Sequence, residues 1–222
     1  MKVSKTQAAE NRASIVDAAA RLYREHGLGG VGVADITRDA GLTHGGLYRH
    51  FESKEALARE ACLRAFDWTI TPLEALDGGN AADTNAGADP QALLRRLVHG
   101  YLSAAHRDHP GEGCPAAALA VDAARAGPQM SEVFAEGVER NIQRFARALL
   151  PPQDADPRPP TPAERARTIG MLSSMVGALV LARATAAGDA RLSEEILATV
   201  RAQLAPEAGG EPSARKRSTI KK

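Results

Sequence analysis

Residues 33–54 read VADITRDAGLTHGGLYRHFESK, and the spacing of apolar positions within them decides the fold. Val33, Ile36 and Ala40 recur at helical spacing, which predicts a short helix over Val33–Ala40 closed by Gly41. Thr43 stands where an N-cap is needed, and a second short helix is expected from there to about Phe51. Two such helices joined by a tight turn make a helix-turn-helix, and Gly41 suits the left-handed backbone such a turn often needs. Ile36, Ala40, Leu42, Leu47 and Phe51 lock the pair together and onto a preceding helix. The outer face of the second helix then shows Thr43, His44, Gly46, Tyr48 and His50. These are small or hydrogen-bonding groups, as a helix inserted into a DNA major groove requires. Gly45 and Gly46 each cost about 1 kcal/mol against Ala in a helix interior. Close backbone approach to DNA accounts for that cost; the plainer reading is a glycine-weakened surface turn.

Outward from this stretch, residues from about 8 to 26 carry Ile15, Ala18, Ala19, Leu22 and Tyr23 on one helical face, with Gly27 as the stop. Ser53-Lys54-Glu55 opens the next helix, Glu55 lying where the helix dipole favours an anion. That helix runs to Trp68 or beyond, until Pro72. Residues 77–89 are expected to form a flexible connection. Helices follow near 90–107, 115–126 and 129–150, then a loop over 151–162 with six prolines, then helices near 162–187 and 192–204. No segment alternates apolar and polar residues as a strand does. The expected fold is all-α, of about nine helices. It comprises an N-terminal three-helix helix-turn-helix domain at 1–52, a helical bundle for ligand binding and dimerisation at 53–204, and a basic disordered tail at 205–222.

Hydrophobic residues make up 44 % and charged residues 25 % of the 222, ordinary values for a soluble domain. No apolar run approaches the roughly 20 residues that span a bilayer, and the first residues hold no apolar signal core, so a cytoplasmic protein without membrane contact is expected. Cys62 and Cys114 are far apart and imply no disulfide framework. His44 and His50 fall on different helix faces with no Cys or Asp partner beside them, so no metal site is read there. Residues 1–66 hold 10 Lys/Arg against 8 Asp/Glu, residues 67–204 hold 13 against 17, and residues 205–222 hold 5 against 2. Basic ends around an acidic middle suit polyanion contacts near the termini, although the imbalance is too small to decide anything alone.

The pieces IVDAAARLYREHG at 15–27 and VADITRDAGLTHGGLYRHFESKEAL at 33–57, with their spacing, resemble the DNA-binding domain of the TetR family of bacterial regulators. The run GGLYRHFESKE at 45–55 is the most specific part. The resemblance is tight over 15–63 and elsewhere extends only to helix number and length. It implies that Tyr48 and His50 contact phosphates, that Lys54 clamps a phosphate, that Thr43 and His44 read bases or phosphates, and that Ala34 can touch a base. Phosphate contacts fix register and carry salt dependence, while base contacts carry sequence preference. Two positions depart from the family pattern: Gly32 stands where Ser or Thr often caps the first motif helix, and Gly46 replaces a frequent Thr.

Residues 67–204 contain no GxSxG, no phosphate-cradling glycine loop and no His-x-x-x-His pair, so no catalytic residue and no cofactor is read there. The resemblance implies that this half binds a small molecule, which shifts the helix beginning at Ser53 and changes the spacing of two DNA-reading heads. Candidate pocket residues are Trp68, Tyr101, Met130, Phe134, Met171 and Met175, each of which would serve equally as plain core. In IGMLSSMVGALVLARA at 169–184, Gly170, Ser173, Ser174, Gly177 and Ala178 form a small-residue stripe. With the helix at 192–204 it is expected to make a two-fold homodimer interface. Cys114 precedes Pro115 at a helix start, after the loop HRDHPGEG, where a helix N-terminus lowers a thiol pKa. It is a candidate redox residue, with a buried inert thiol as the other reading. The tail bases Arg215, Lys216, Arg217, Lys221 and Lys222 either add non-specific DNA affinity or are simply solvated.

The function expected is a dimeric, sequence-specific transcriptional repressor on a palindromic double-stranded operator, released by a small-molecule effector not identified by the sequence. Control by oxidation at Cys114 or by a protein partner is the alternative. A helical enzyme is the reading from another class, and no activated nucleophile or metal set supports it.

Overall fold

The computed structural model describes residues 4–68, 90–149 and 159–206, and among them every regular element is helical. Helix α1 (Lys5–His26) starts a few residues before its apolar face begins, because the Ser4 hydroxyl accepts the Gln7 amide at 3.1 Å. Gly27, at φ 76°, ends it. Helix α2 (Val33–Asp39) is followed by Gly41 at φ 69°, in the left-handed region that the motif turn requires. Residues His44–Arg49 then form a 3-10 helix rather than the α-helix expected up to Phe51. Two consecutive glycines weaken an α-helix, and a short i to i+3 helix is the form left to so brief a segment. Helix α3 (Lys54–Trp68) opens with the Ser53 hydroxyl accepting the Ala56 amide at 3.1 Å.

The rest comprises α4 (Pro90–Tyr101), α5 (Ala104–Asp108), a 3-10 turn at Pro110–Glu112, α6 (Pro115–Arg125), α7 (Pro128–Leu149), α8 (Pro162–Thr185) and α9 (Ala190–Leu204). The one helix expected over 90–107 is therefore two. Ser103 has extended backbone and its hydroxyl accepts the His106 amide at 3.1 Å, so it starts a new helix where the sequence period alone ran on. Helix α8 opens with a reciprocal box, Thr161 and Glu164 each bonding the other's backbone amide.

One core runs from end to end. Helix α1 packs on α3, on α6 and on the 110–112 turn; α3 packs on α7; α7 packs on α6 and α8; and α8 lies along α9. Gly137 of α7 allows the close approach of α3, since a Cβ there would lie 2.2 Å from the Phe66 ring. Phe66 in turn meets Phe134 edge-on, centroids 5.4 Å apart. Tyr101, Met130, Met171 and Met175 are buried in this same core.

The small-residue stripe of α8 is not uniform, and Gly177 within it is half-buried. Ala178 faces the core, while Gly170, Ser173 and Ser174 are exposed beside Ile169, Val180 and Leu181. Contrary to the estimate from run length, α8 is by length and composition apolar enough to cross a membrane, although 39 % of its most apolar window is buried within the protein. The connection at 77–89, the proline loop up to residue 158, the tail from residue 207 and the Trp68 side chain lie outside the described residues.

Candidate nucleic-acid interface

The candidate surface depends on neighbouring residues of one short helix pointing in opposite directions. Leu47 is wholly buried and Phe51 nearly so, while Tyr48 between them is 58 % exposed. Leu47 and Phe51 join the cluster of Ile15, Ala19, Ile36 and Leu57, with Ala40 and Leu42 packed against its edge. Phe51 is also held from above, with the Arg12 guanidinium 4.6 Å from its ring centroid. Arg12 is itself gripped by both oxygens of Glu60 on α3, a bond that raises its pKa. Packing on α2, apolar burial and this clamp from α1 fix the 3-10 helix, so its outer face does not have to contribute to folding.

On that face, Thr43 is exposed and its hydroxyl makes no capping bond; only its carbonyl is used, accepting the Gly46 amide at 2.8 Å. Tyr48 and Arg49 are exposed, and His50 is half-buried at the helix end. His44 and Gly45 belong to the same helix, but the placement of their side-chain positions lies outside the described residues. A Cβ on Gly46 would meet nothing nearer than the Leu42 Cβ at 4.0 Å, and its φ is not positive. Neither packing nor backbone conformation within the protein requires glycine there. Ala34 is exposed in the first turn of α2. Lys54 is half-buried and its Nζ donates to the Leu28 carbonyl at 3.3 Å.

The electrostatics around this face favour an anion. Both acidic side chains of α2 are neutralised: Asp35 pairs with Arg38 at 2.5 Å and Asp39 with Arg21 of α1. Asp35 also accepts the Gly32 amide at 3.0 Å, which, with the Arg38 bond, holds its carboxyl below the usual range. Gly32 offers no side chain to cap α2, and Asp35 supplies the other half of a capping box from within the helix. Arg49, exposed beside Tyr48, is a cation that sequence reasoning passed over; its position next to the outward tyrosine was the available signal.

Arg24 was also missed. It lies on the buried side of α1, and its Nη1 donates to the Gly113 carbonyl at 3.2 Å and towards the Ala65 carbonyl at 3.5 Å. Burial lowers its pKa to about 10, so it stays charged at neutral pH. It ties the helix that carries the motif to the loop before α6.

Residues 15–61 match the family described as bacterial regulatory proteins, tetR family. The HTH-type transcriptional repressor KstR2 of Rhodococcus jostii is 37 % identical over 98 residues, which cover 44 % of this chain and 45 % of that protein. The HTH-type transcriptional regulator TtgR of Pseudomonas putida is 33 % identical over 95 residues, 43 % of this chain and 42 % of that protein. The chain thus spans less than half the length of these relatives, both of them transcriptional regulators. Among solved structures, reduced NemR of E. coli superposes with a TM-score of 0.66 at 17 % identity, over 87 % of this chain and 94 % of that one. A TetR-family regulator from Agrobacterium tumefaciens gives 0.65 at 19 %, over 89 % and 99 %. At such identities the structures establish the shared fold. Residues 15–61 thus match the DNA-binding domain of the tetR family of bacterial regulatory proteins, and the all-helical architecture has the fold of the TetR-family structure it superposes on.

Proposed function

We propose that the protein is a dimeric, sequence-specific DNA-binding repressor of transcription whose helical half takes a small-molecule effector. The observation that carries this reading is the division of labour along the 3-10 helix and the residues just after it, with Leu47 and Phe51 inward and Tyr48 outward. A structural helix has no use for a large exposed aromatic ring with a polar tip; one lying in a major groove does. In this reading Tyr48, His50 and Lys54 hold phosphates, Thr43, His44 and Ala34 meet bases, and Gly45 and Gly46 admit the duplex to the backbone. Lys54 spends one donor on the Leu28 carbonyl, which orients the ammonium and leaves two. The division at 52/53 is then functional rather than spatial, because α3 packs on both α1 and α7.

The second copy is assigned to the face formed by α8 and α9. Ile169, Val180, Leu181 and Leu192 are exposed there beside Gly170 and Ser173, a composition that allows two backbones to approach closely. The same face explains the high hydropathy of α8 without a membrane, and a cytoplasmic, non-enzymatic protein is the consistent reading. The effector chamber is assigned to the core that holds Tyr101, Met130, Phe134, Met171 and Met175, with Trp68 at the end of α3.

Selection of bound duplexes from a random library by the full-length protein tests the proposal. A palindromic sequence should emerge, with affinity that falls steeply as salt rises. Recovery of no sequence above background overturns the DNA reading. Leu181→Glu should turn the dimer into a monomer in sedimentation; an unchanged mass would show that this face is not the seam.

A further inference from the structure

The two cysteines are equally hidden, Cys62 at 2 % and Cys114 at 1 % exposure, but their surroundings differ in kind. Cys62 of α3 lies in the apolar cluster, where burial pushes its thiol up to about 12. Cys114 stands at the N-cap of α6, its side chain making no capping bond, among polar groups brought from four elements. Its amide donates to His106 Nε2 at 2.9 Å, and His106 Nδ1 bonds the Tyr101 carbonyl at 2.6 Å, so both ring nitrogens are taken. The Tyr101 ring stands edge-on to His106 with centroids 4.6 Å apart. Arg183 of α8 enters from the other side, its Nη2 donating to the His106 carbonyl at 2.7 Å and its Nε to that of Arg107 at 3.1 Å. A Cβ on Gly113 would lie 2.6 Å from His106 Nε2 and 3.0 Å from Arg183 Nη2, so glycine is what lets these groups close on residue 114. Arg24 completes the enclosure through the Gly113 carbonyl.

Two buried donors in this enclosure, the Tyr101 hydroxyl and Arg183 Nη1, have no nitrogen or oxygen to bond. The thiol is the group they share. After burial, the nearness of Cys114 is what most raises the Tyr101 hydroxyl, and Tyr101 and Cys114 together support the Arg183 cation against its own burial. A thiol sulfur is a weak acceptor, and an oxygen bound to that sulfur would be a strong one. We propose that Cys114 is a site of oxidation by hydroperoxides, the sulfenic oxygen being received by the Tyr101 hydroxyl and Arg183 Nη1.

In this step the sulfur attacks one peroxide oxygen, and an S–O bond forms as the O–O bond breaks. Sulfur loses two electrons, the peroxide gains them, and the thiol proton leaves with the other oxygen as water, or as an alcohol from an organic hydroperoxide. The Gly113–Cys114 segment is also what Arg24 holds against α1, so the added oxygen acts on the link between motif domain and bundle. That regulatory consequence rests on the DNA-binding reading; the oxidation itself does not.

The test treats the full-length protein with hydrogen peroxide near equimolar, traps sulfenic acid with dimedone and maps adducts by peptide mass spectrometry. The Cys114 peptide should carry at least about ten-fold more adduct than the Cys62 peptide, which serves as the internal control. Absence of adduct at Cys114, or equal labelling of both, overturns the proposal. Tyr101→Phe, which keeps the ring, should slow Cys114 labelling about five-fold; an unchanged rate in a variant of unchanged melting temperature removes the hydroxyl as receiver and overturns it too. Retention of the selected duplex is read on the same samples. Labelling without loss of retention overturns the regulatory consequence, while a protein that labels but never bound DNA overturns the DNA reading and leaves the oxidation standing.

Discussion

The motif domain and the bundle behind it use polar side chains in opposite ways. In the first, Thr43, Tyr48 and Arg49 point to solvent, and the apolar residues that support them are their immediate neighbours in sequence. In the second, Tyr101, His106, Cys114 and Arg183 are gathered inside, with Arg24 reaching them from the motif domain itself. A surface built from adjacent residues is decided by periodicity. A buried polar cluster is decided by how distant helices cross, and it places chemistry where a local pattern predicts only core.

The sharpest way to break this comparison is to change adjacent residues of the 3-10 helix. Leu47→Ala should cost about 2–5 kcal/mol of unfolding free energy, as for a fully buried leucine. Tyr48→Ala should leave stability within about 0.5 kcal/mol, as an exposed site does, while weakening affinity for the selected duplex roughly ten-fold or more. Urea unfolding and titration of the duplex separate the two. If Tyr48→Ala unfolds the domain instead, the outer face is structural and the contrast is lost.

A second substitution tests the inner cluster. Arg24→Met should lose about 1–3 kcal/mol, because the Gly113 and Ala65 carbonyls lose a buried donor. Urea unfolding measures it. No change in the midpoint would mean that the motif domain does not depend on the loop before α6.

How much of this was legible follows the same division. The turn at Gly41, the inward set Ile36, Leu47 and Phe51, and the apolar face of α1 all follow from spacing, because helical periodicity marks an inward face whatever it packs against. The break at Ser103 escaped, since a serine inside an apolar period signals an N-cap only when its own backbone is extended. Ala178 was assigned to the wrong side of α8 because small residues mark close approach without saying to which neighbour. Arg24 was unreadable: an arginine on α1 reads as solvated until a carbonyl 89 residues later is placed beside it. At the candidate site, the run from Thr43 to Lys54 is legible from spacing, whereas the exposure of Arg49 and the ion pair that quiets Asp39 depend on how the helices of the motif domain meet.

Gly46→Ala sharpens the contrast by separating folding from function at one atom. The new methyl has room and the backbone φ is not positive, so stability should hold or rise by up to about 1 kcal/mol. If the glycine is there for the duplex, affinity should fall roughly ten-fold at the same time. Affinity unchanged alongside higher stability would leave Gly46 with no functional reason.

The smallest effect expected is a pH dependence arising from the inner cluster. His106 is held below its ordinary 6.5, first by burial and then by Arg183, against the opposing bond to the Tyr101 carbonyl. A histidine with a depressed folded pKa binds a proton more readily when unfolded. Its contribution to stability is therefore complete above about 6.5, falls as pH drops below that value, and is fully lost once pH passes under the folded pKa. The ion-paired carboxylates Asp35, Asp108 and Glu139 are also held low, but their contributions begin to fade only near their ordinary 3.8 to 4.5. Unfolding midpoints between pH 6.5 and 5 should thus decline in the wild type, and His106→Gln should flatten that decline. A slope that persists in the variant would assign the acid sensitivity to another group and show that the neutral ring holding the Cys114 amide is not what acid disturbs.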